Sequence, residues 1–202
     1  MNFRFFILFV CILLPKVCWS EQNISGNISC FVPLDNRFSK IYHENPFYQI
    51  DYNMELKKRV FTSNSSFLFF CSIGYLYGSG KTNQNSHTHI HYVPLSFGGS
   101  LAFRLKNDKL IPYAGIGPVF VYSRVHNDVG ESCFLDRKQN GWGWGGRVRS
   151  GMFAELIPSF FAHFFIDYYL TKIFYHYSSS KAIKNQCYVQ GISVGFGLGY
   201  KF

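Results

Sequence analysis

Several short patterns in this 202-residue chain carry residue types that chemistry uses. His87, His89 and His91 form an HxHxH run. Alternate residues of a strand share a face, so three imidazoles at this spacing could hold a metal ion or respond to pH. No carboxylate or cysteine ligand is adjacent, and the expectation is a solvated loop margin with no metal. Gly191-Ile192-Ser193-Val194-Gly195 matches GxSxG. A nucleophilic serine in that pattern needs a strand–turn–helix setting, whereas here one alternating stretch runs through it to the chain end. Gly141, Gly143 and Gly146 match GxGxxG, but no helical pattern follows and Trp142 and Trp144 interleave the glycines. Gly80-Lys81-Thr82 resembles the end of a phosphate-binding loop, but the first glycine falls at Gly74, one position early. None of these patterns requires a cofactor, and none is expected.

The remaining candidates are charged side chains, and what they do depends on the faces that carry them. The chain is 48% hydrophobic, 20% aromatic and 15% charged. The aromatic load excludes disorder, and 18 Gly with many Phe and Tyr disfavour a helical bundle. Apolar residues instead alternate with small or polar ones, the mark of strands with two unlike faces. In the last segment Tyr188, Ile192, Val194, Phe196, Leu198, Tyr200 and Phe202 share one face. Gly191, Ser193, Gly195, Gly197, Gly199 and Lys201 share the other. Trp142, Trp144, Val148 and Met152 likewise oppose Gly143, Gly145, Arg147, Arg149 and Gly151. Similar two-faced stretches occupy Tyr48–Leu56, Phe67–Tyr77, Val93–Leu105 and Phe160–Leu170, with a less regular one at Leu110–Arg124. In Tyr48–Leu56 the minority face is Gln49, Asp51, Asn53 and Glu55.

Short connectors at 61–66, 106–109 and 158–159 alternate with long polar ones at 79–86, 126–140 and 175–186. That order belongs to membrane barrels with short periplasmic turns and longer external loops. Seven strands would leave the chain start on the wrong side, so an eighth is expected at Ile28–Leu34, followed by a loop over Asp35–Asn45. The fold class is therefore all-β: an eight-stranded antiparallel transmembrane barrel, bulky residues outward and glycines inward. A water-soluble barrel would reverse the faces, and too few strand charges remain to solvate its exterior. The inward Arg104, Arg147, Arg149, Glu155, Asp167 and Lys201 should form an interior ion network, because unpaired charges in a narrow lumen are costly. A gated pore would use the same residues, but side chains usually fill an eight-stranded lumen.

Residues 1–20 read as a secretory signal peptide: Arg4, an apolar run from Phe5 to Leu14, Pro15, then Cys18 and Ser20 before the expected cleavage at Glu21. The domain reading is thus 1–20 leader and 21–202 barrel. Loss of Arg4 and Lys16 leaves 18 basic residues against 11 acidic. Export, with no basic-aromatic binding motif, excludes nucleic acid as partner. Loop lysines Lys40, Lys81, Lys138, Lys181 and Lys184 could contact lipid phosphates. Cys30, Cys71, Cys133 and Cys187 stay in the exported chain; Cys71 reads as apolar packing, the other three as disulfide candidates near loops.

HYVPLSFGGSLAFRL (91–105) with LIPYAGIGPVFVYS (110–123), GWGWGGRVRSGMFAEL (141–156) with FFAHFFIDYYL (160–170), and GISVGFGLGYKF (191–202) resemble hairpins and the terminal strand of the small bacterial outer-membrane barrel superfamily. That superfamily includes OmpW-like, OmpA-like and opacity-type proteins. The resemblance covers about Tyr48 to Phe202. It implies an outer-membrane location, contact with outer-membrane lipid, and Phe202, Tyr200 and Leu198 as an assembly signal for the barrel-insertion machinery. It implies a structural or surface-interaction role, with a host surface ligand, or passage of a small apolar solute. His176-Tyr177-Ser178 also resembles the His-x-Ser element of PagL-type lipid A deacylases, in which His activates Ser as the nucleophile. That alternative would make Ser178 and His176 catalytic in lipid A 3-O-deacylation. Gln190 stands where that family has the Glu that orients the histidine, and Ser179-Ser180-Lys181 replaces its Asn-Ala-Gly. The default expectation is therefore a protein with no catalytic residues.

Overall fold

The computed structural model describes residues 21–42, 47–62, 65–81, 87–105, 109–128, 138–176 and 186–202. In chain order they form β1 (Glu21–Pro33), a short helix α1 (Asn36–Ile41), β2 (Phe47–Thr62), β3 (Ser65–Lys81), β4 (His87–Phe103), β5 (Leu110–Asn127), β6 (Lys138–Ile157), β7 (Phe160–His176) and β8 (Gln186–Lys201). Every strand pairs antiparallel with its sequence neighbour, and β1 pairs with β8 to close the barrel. Both ends of the described chain lie at the short-turn end, where Asn23 pairs with Lys201.

The first strand starts at Glu21, seven residues before the expected Ile28, and ends at Pro33. Its outward face alternates Ile24, Gly26 and Ile28, and its inward face is Ser25, Asn27 and Ser29. So few apolar residues give a weak signal. What fixes the strand is the need of β2 and β8 for partners along their length: Glu21 pairs with Lys57, and Ile24 with both Met54 and Tyr200. The strands also run farther toward the long connectors than expected, with Lys81, His87, Lys138 and His176 all inside them.

The bulky residues face outward. Ile116, Trp142 and Leu198 are 67%, 66% and 64% exposed, whereas inward Arg149 and Val119 are 1% and 0% exposed. Fully exposed apolar rows on a closed sheet are the reverse of a water-soluble barrel. Cys30 turns outward with Ile28 and Val32; Cys187 lies on the inner face and packs against the core. No disulfide joins Cys30, Cys71 and Cys187 to one another. The disulfide expectation therefore fails for Cys30 with Cys187, whose side chains leave opposite faces of the sheet; Cys133 lies outside the described residues.

Two apolar clusters fill the lumen. One, toward the long connectors, includes Phe31, Phe47, Leu76, Ile90, Val119 and Ile173. The other, toward the short turns, gathers Leu68, Ala102, Tyr113, Phe153 and Phe161. Helix α1 lies in the connector expected to be a plain loop. Asp35 caps it, its Oδ1 accepting from the Phe38 backbone N–H at 3.0 Å. One turn apart, Phe38 and Tyr42 pack with tilted rings at 4.9 Å, and Phe38 meets Phe47 at 5.5 Å. The helix thus plugs the mouth with two rings.

Gly80 permits that plug, since a Cβ there would sit 1.8 Å from the Ile41 carbonyl oxygen. Backbone cannot give way as a side-chain tip can. Gly80→Ala is expected to destabilise the barrel by about 1–3 kcal/mol. Gly26→Ala should be silent, because nothing lies within 4 Å of a Cβ there. Urea unfolding of the refolded barrel in detergent, followed by tryptophan fluorescence, checks both; equal midpoints would refute the contrast.

Candidate functional site: a charged layer sealed inside the barrel

Between the two apolar clusters lies a layer of charge. β6 turns Arg147 and Arg149 inward as alternate residues, and β7 places Asp167 opposite Arg149. Asp167 is fully buried and forms a direct ion pair with Nη2 of Arg147. Its Oδ1 also lies 4.0 Å from Nε of Arg149. From across the barrel, Glu55 of β2 reaches within 3.6 Å of Arg149 Nη1. Arg147 Nη1 donates to Ser72 Oγ at 2.6 Å and Ser96 Oγ at 2.7 Å. Asp51, also inward on β2, accepts from Gln49 Nε2 at 2.8 Å and 2.9 Å.

Aromatic rings complete the layer. The Arg149 guanidinium sits 4.5 Å from the Phe70 ring centre and 5.1 Å from that of Tyr113, and Arg147 lies 5.0 Å from Tyr169. These cation–π contacts are strongest when desolvated, as they are here. Tyr113 Oη hydrogen-bonds His163, whose Nδ1 lies 3.2 Å from Asn27 Oδ1. The layer therefore ties β2, β3, β4, β6 and β7 together through side chains, in addition to the backbone ladder. Apolar residues close it off on both sides, so its chemistry is structural: opposite charges neutralised where water is excluded.

No family model matches the sequence, and no curated protein does either. Solved structures do resemble the fold. Ail, the attachment invasion locus protein of Yersinia pestis, in complex with the heparin analogue sucrose octasulfate, aligns with TM-score 0.56 and 12% identity, covering 90% of this chain and 98% of that one. The outer membrane protein OprG of Pseudomonas aeruginosa aligns with TM-score 0.56 and 15% identity, covering 90% and 95%. The fold is that of the small bacterial outer-membrane barrels. At these identities the likeness is one of architecture.

Within this outer-membrane-type barrel, the six charged residues singled out from sequence fall into two groups. Arg147, Arg149 and Asp167 meet in the central layer. Glu155 and Lys201 pair at 3.6 Å near the short-turn mouth, and Arg104 lines the same mouth just past the end of β4. Sequence reading missed the β2 carboxylates Asp51 and Glu55 as members, together with Tyr113, Tyr169 and His163. The minority-face run Gln49-Asp51-Asn53-Glu55 was the available signal. Phe202, Tyr200 and Leu198 lie on the outer surface, with Tyr200 meeting Phe160 and Phe202 edge to face at 5.0 Å and 4.8 Å.

The esterase alternative finds no geometry to assess. Ser178 lies outside the described residues, and His176 closes β7 without a described side chain. Gln190 donates to Tyr168 Oη at 2.6 Å. His87, His89 and His91 turn outward at the long-connector end, and no metal-holding group of His, Cys, Asp or Glu is found among the described residues.

Removing Asp167 leaves two buried guanidinium groups with one fewer counter-charge. Asp167→Ala is expected to cost about 3–5 kcal/mol. Replacing the pair together, Arg147→Met with Asp167→Leu, should recover most of that loss, because no lone charge is stranded. Unfolding midpoints of the two variants in detergent check the ordering; a double variant less stable than Asp167→Ala would refute the neutralisation argument.

Proposed function

We propose that this chain is an exported, non-enzymatic integral outer-membrane protein. Its roles are envelope structure and surface interaction through the long-connector end. One observation carries the reading: an apolar exterior surrounds a closed sheet with a packed lumen whose arginines are ion-paired. In lipid every backbone N–H and C=O must find a partner within the protein, and a ring of eight paired strands meets that demand. Outward Tyr48, Tyr77, Trp142 and Tyr188 near the long connectors and Phe160, Tyr200 and Phe202 near the short turns match aromatic belts at two interfaces. Asymmetric connectors set the orientation, with the C-terminus in the periplasm.

The filled lumen weighs against passage of a solute through the barrel. A path would have to cross Phe38 and Phe47, the arginine layer, and then Phe153 and Phe161. The long-connector end is the part open to an external partner. Ail, of like fold, was solved holding a sulfated sugar analogue. An anionic host surface ligand on this chain is the corresponding proposal.

Membrane fractionation with a heat-modifiability gel tests the reading. The expected result is an outer-membrane protein that migrates differently with and without boiling, and whose mature N-terminus is Glu21. A compact monomer soluble in buffer without detergent would overturn it. Incubation with lipid A is expected to release no fatty acid; release that vanishes in Ser178→Ala would overturn the non-enzymatic part.

A further inference from the structure

The outer surface of the barrel changes character abruptly at its long-connector end. Along β4 the outward residues run Phe97, Leu95, Val93 and then His91, His89, His87. Along β5 they run Phe120, Tyr122 and then Arg124, His126. Along β6, Trp144 and Trp142 give way to Asn140 and Lys138. These changes coincide in register, with His91 beside Arg124, His89 beside His126, and His126 beside Lys138. A basic, imidazole-rich patch therefore sits directly above the aromatic belt.

The imidazoles are held in place. Tyr75 Oη and His91 Nδ1 are 2.7 Å apart, and Tyr77 Oη and His89 Nδ1 are 2.9 Å apart. Tyr77 also stacks on His89 at an interplanar angle of 13°. With Nδ1 engaged by a phenol, Nε2 is the edge left to meet an acceptor. Just past β5, Asp128 stands 4.0 Å from Nε2 of both His89 and His126. The charged and titratable groups facing the patch are Lys81, Tyr75 and Tyr77 from β3, Arg124, His126 and Asp128 from β5 and its end, and Lys138 from β6. Their permanent charge is positive, and protonation of an imidazole adds to it.

We infer that this outward patch on β4 and β5 binds the phosphate groups of an anionic glycolipid in the surrounding leaflet. The inference rests on the membrane reading above. In a bilayer, side chains immediately beyond the aromatic belt lie at headgroup depth. Arg124 supplies a fork of N–H donors suited to phosphate, and imidazolium Nε2–H groups add charge-assisted bonds. Phosphate is favoured over carboxylate-bearing protein partners because the patch wraps the lipid-facing wall, below the connectors that would meet a soluble protein.

The test titrates lipid A into the purified barrel held in a nonionic maltoside micelle, reading histidine Hε1 resonances by NMR. The expected result is saturable shifts of His89, His91 and His126, with half-saturation at pH 5.5 at least five-fold lower than at pH 7.5. Replacing all three by Gln should abolish the pH dependence, read by tryptophan fluorescence. Arg124→Gln should weaken binding at both pH values and keeps the test valid if the triple variant fails to fold. Equal binding of dephosphorylated lipid A, equal half-saturation by inorganic phosphate alone, or unchanged binding by the variants would each overturn the proposal. A barrel that inserts into bilayers and shows the boiling shift, yet has no phosphate preference, refutes this inference alone. A chain that never inserts refutes the membrane reading beneath it.

Discussion

The structure depends on closure of the sheet. An open eight-stranded sheet would leave the outer edges of β1 and β8 with unpaired backbone groups, intolerable in hydrocarbon and aggregation-prone in water. Pairing of β1 with β8 from Asn23–Lys201 to Pro33–Gly191 removes both edges together. Closure then dictates the rest. It divides every strand into an inside and an outside, and it limits the inside to a bore that eight strands leave just wide enough for side chains. Glycines on the inner face make room for rings from neighbouring strands. Charged residues brought into that bore must neutralise one another there.

The charged layer shows how this is done without a channel. Three inward carboxylates, Asp51, Glu55 and Asp167, surround two guanidinium groups that also lie against Phe70, Tyr113 and Tyr169. Buried ion pairs are poor sources of net stability compared with apolar packing. Their contribution here is specificity of register: Arg149 meets Glu55 across the bore only if β2 and β6 are staggered correctly. Helix α1 acts on the same bore from above, because Phe38 and Tyr42 belong to the apolar cluster that covers the layer.

Strands with a large difference between faces were legible in the sequence. The alternation from Tyr188 to Phe202 and from Trp142 to Leu156 reads directly as wall and bore, because the inner rows are largely glycine and charge. The first strand was harder, since Gly26 between Ile24 and Ile28 leaves only a short, broken apolar row against Ser25 and Asn27. Its assignment comes from its neighbours' need for partners, a property of the ring and absent from the local pattern. The charged layer was half legible. Alternation puts Glu55 and Arg149 on inner faces, but their meeting depends on strand stagger, which periodicity does not carry. Tyr113 was hidden by the irregular, proline-bearing stretch around it. Parity also separates two of the disulfide candidates: it sets Cys30 with Ile28 and Val32, and Cys187 with Val189.

The sealed bore has a consequence for the cell that carries it. A pore-forming protein limits its own abundance, because each copy adds leak to the permeability barrier. A barrel whose described bore is filled by Phe38 and Phe47 above its arginines and by Phe153 and Phe161 below would, on the proposed membrane reading, add no such leak. A membrane can be crowded with such copies at no expense in retained solutes. What multiplies with copy number is only the displayed outer face.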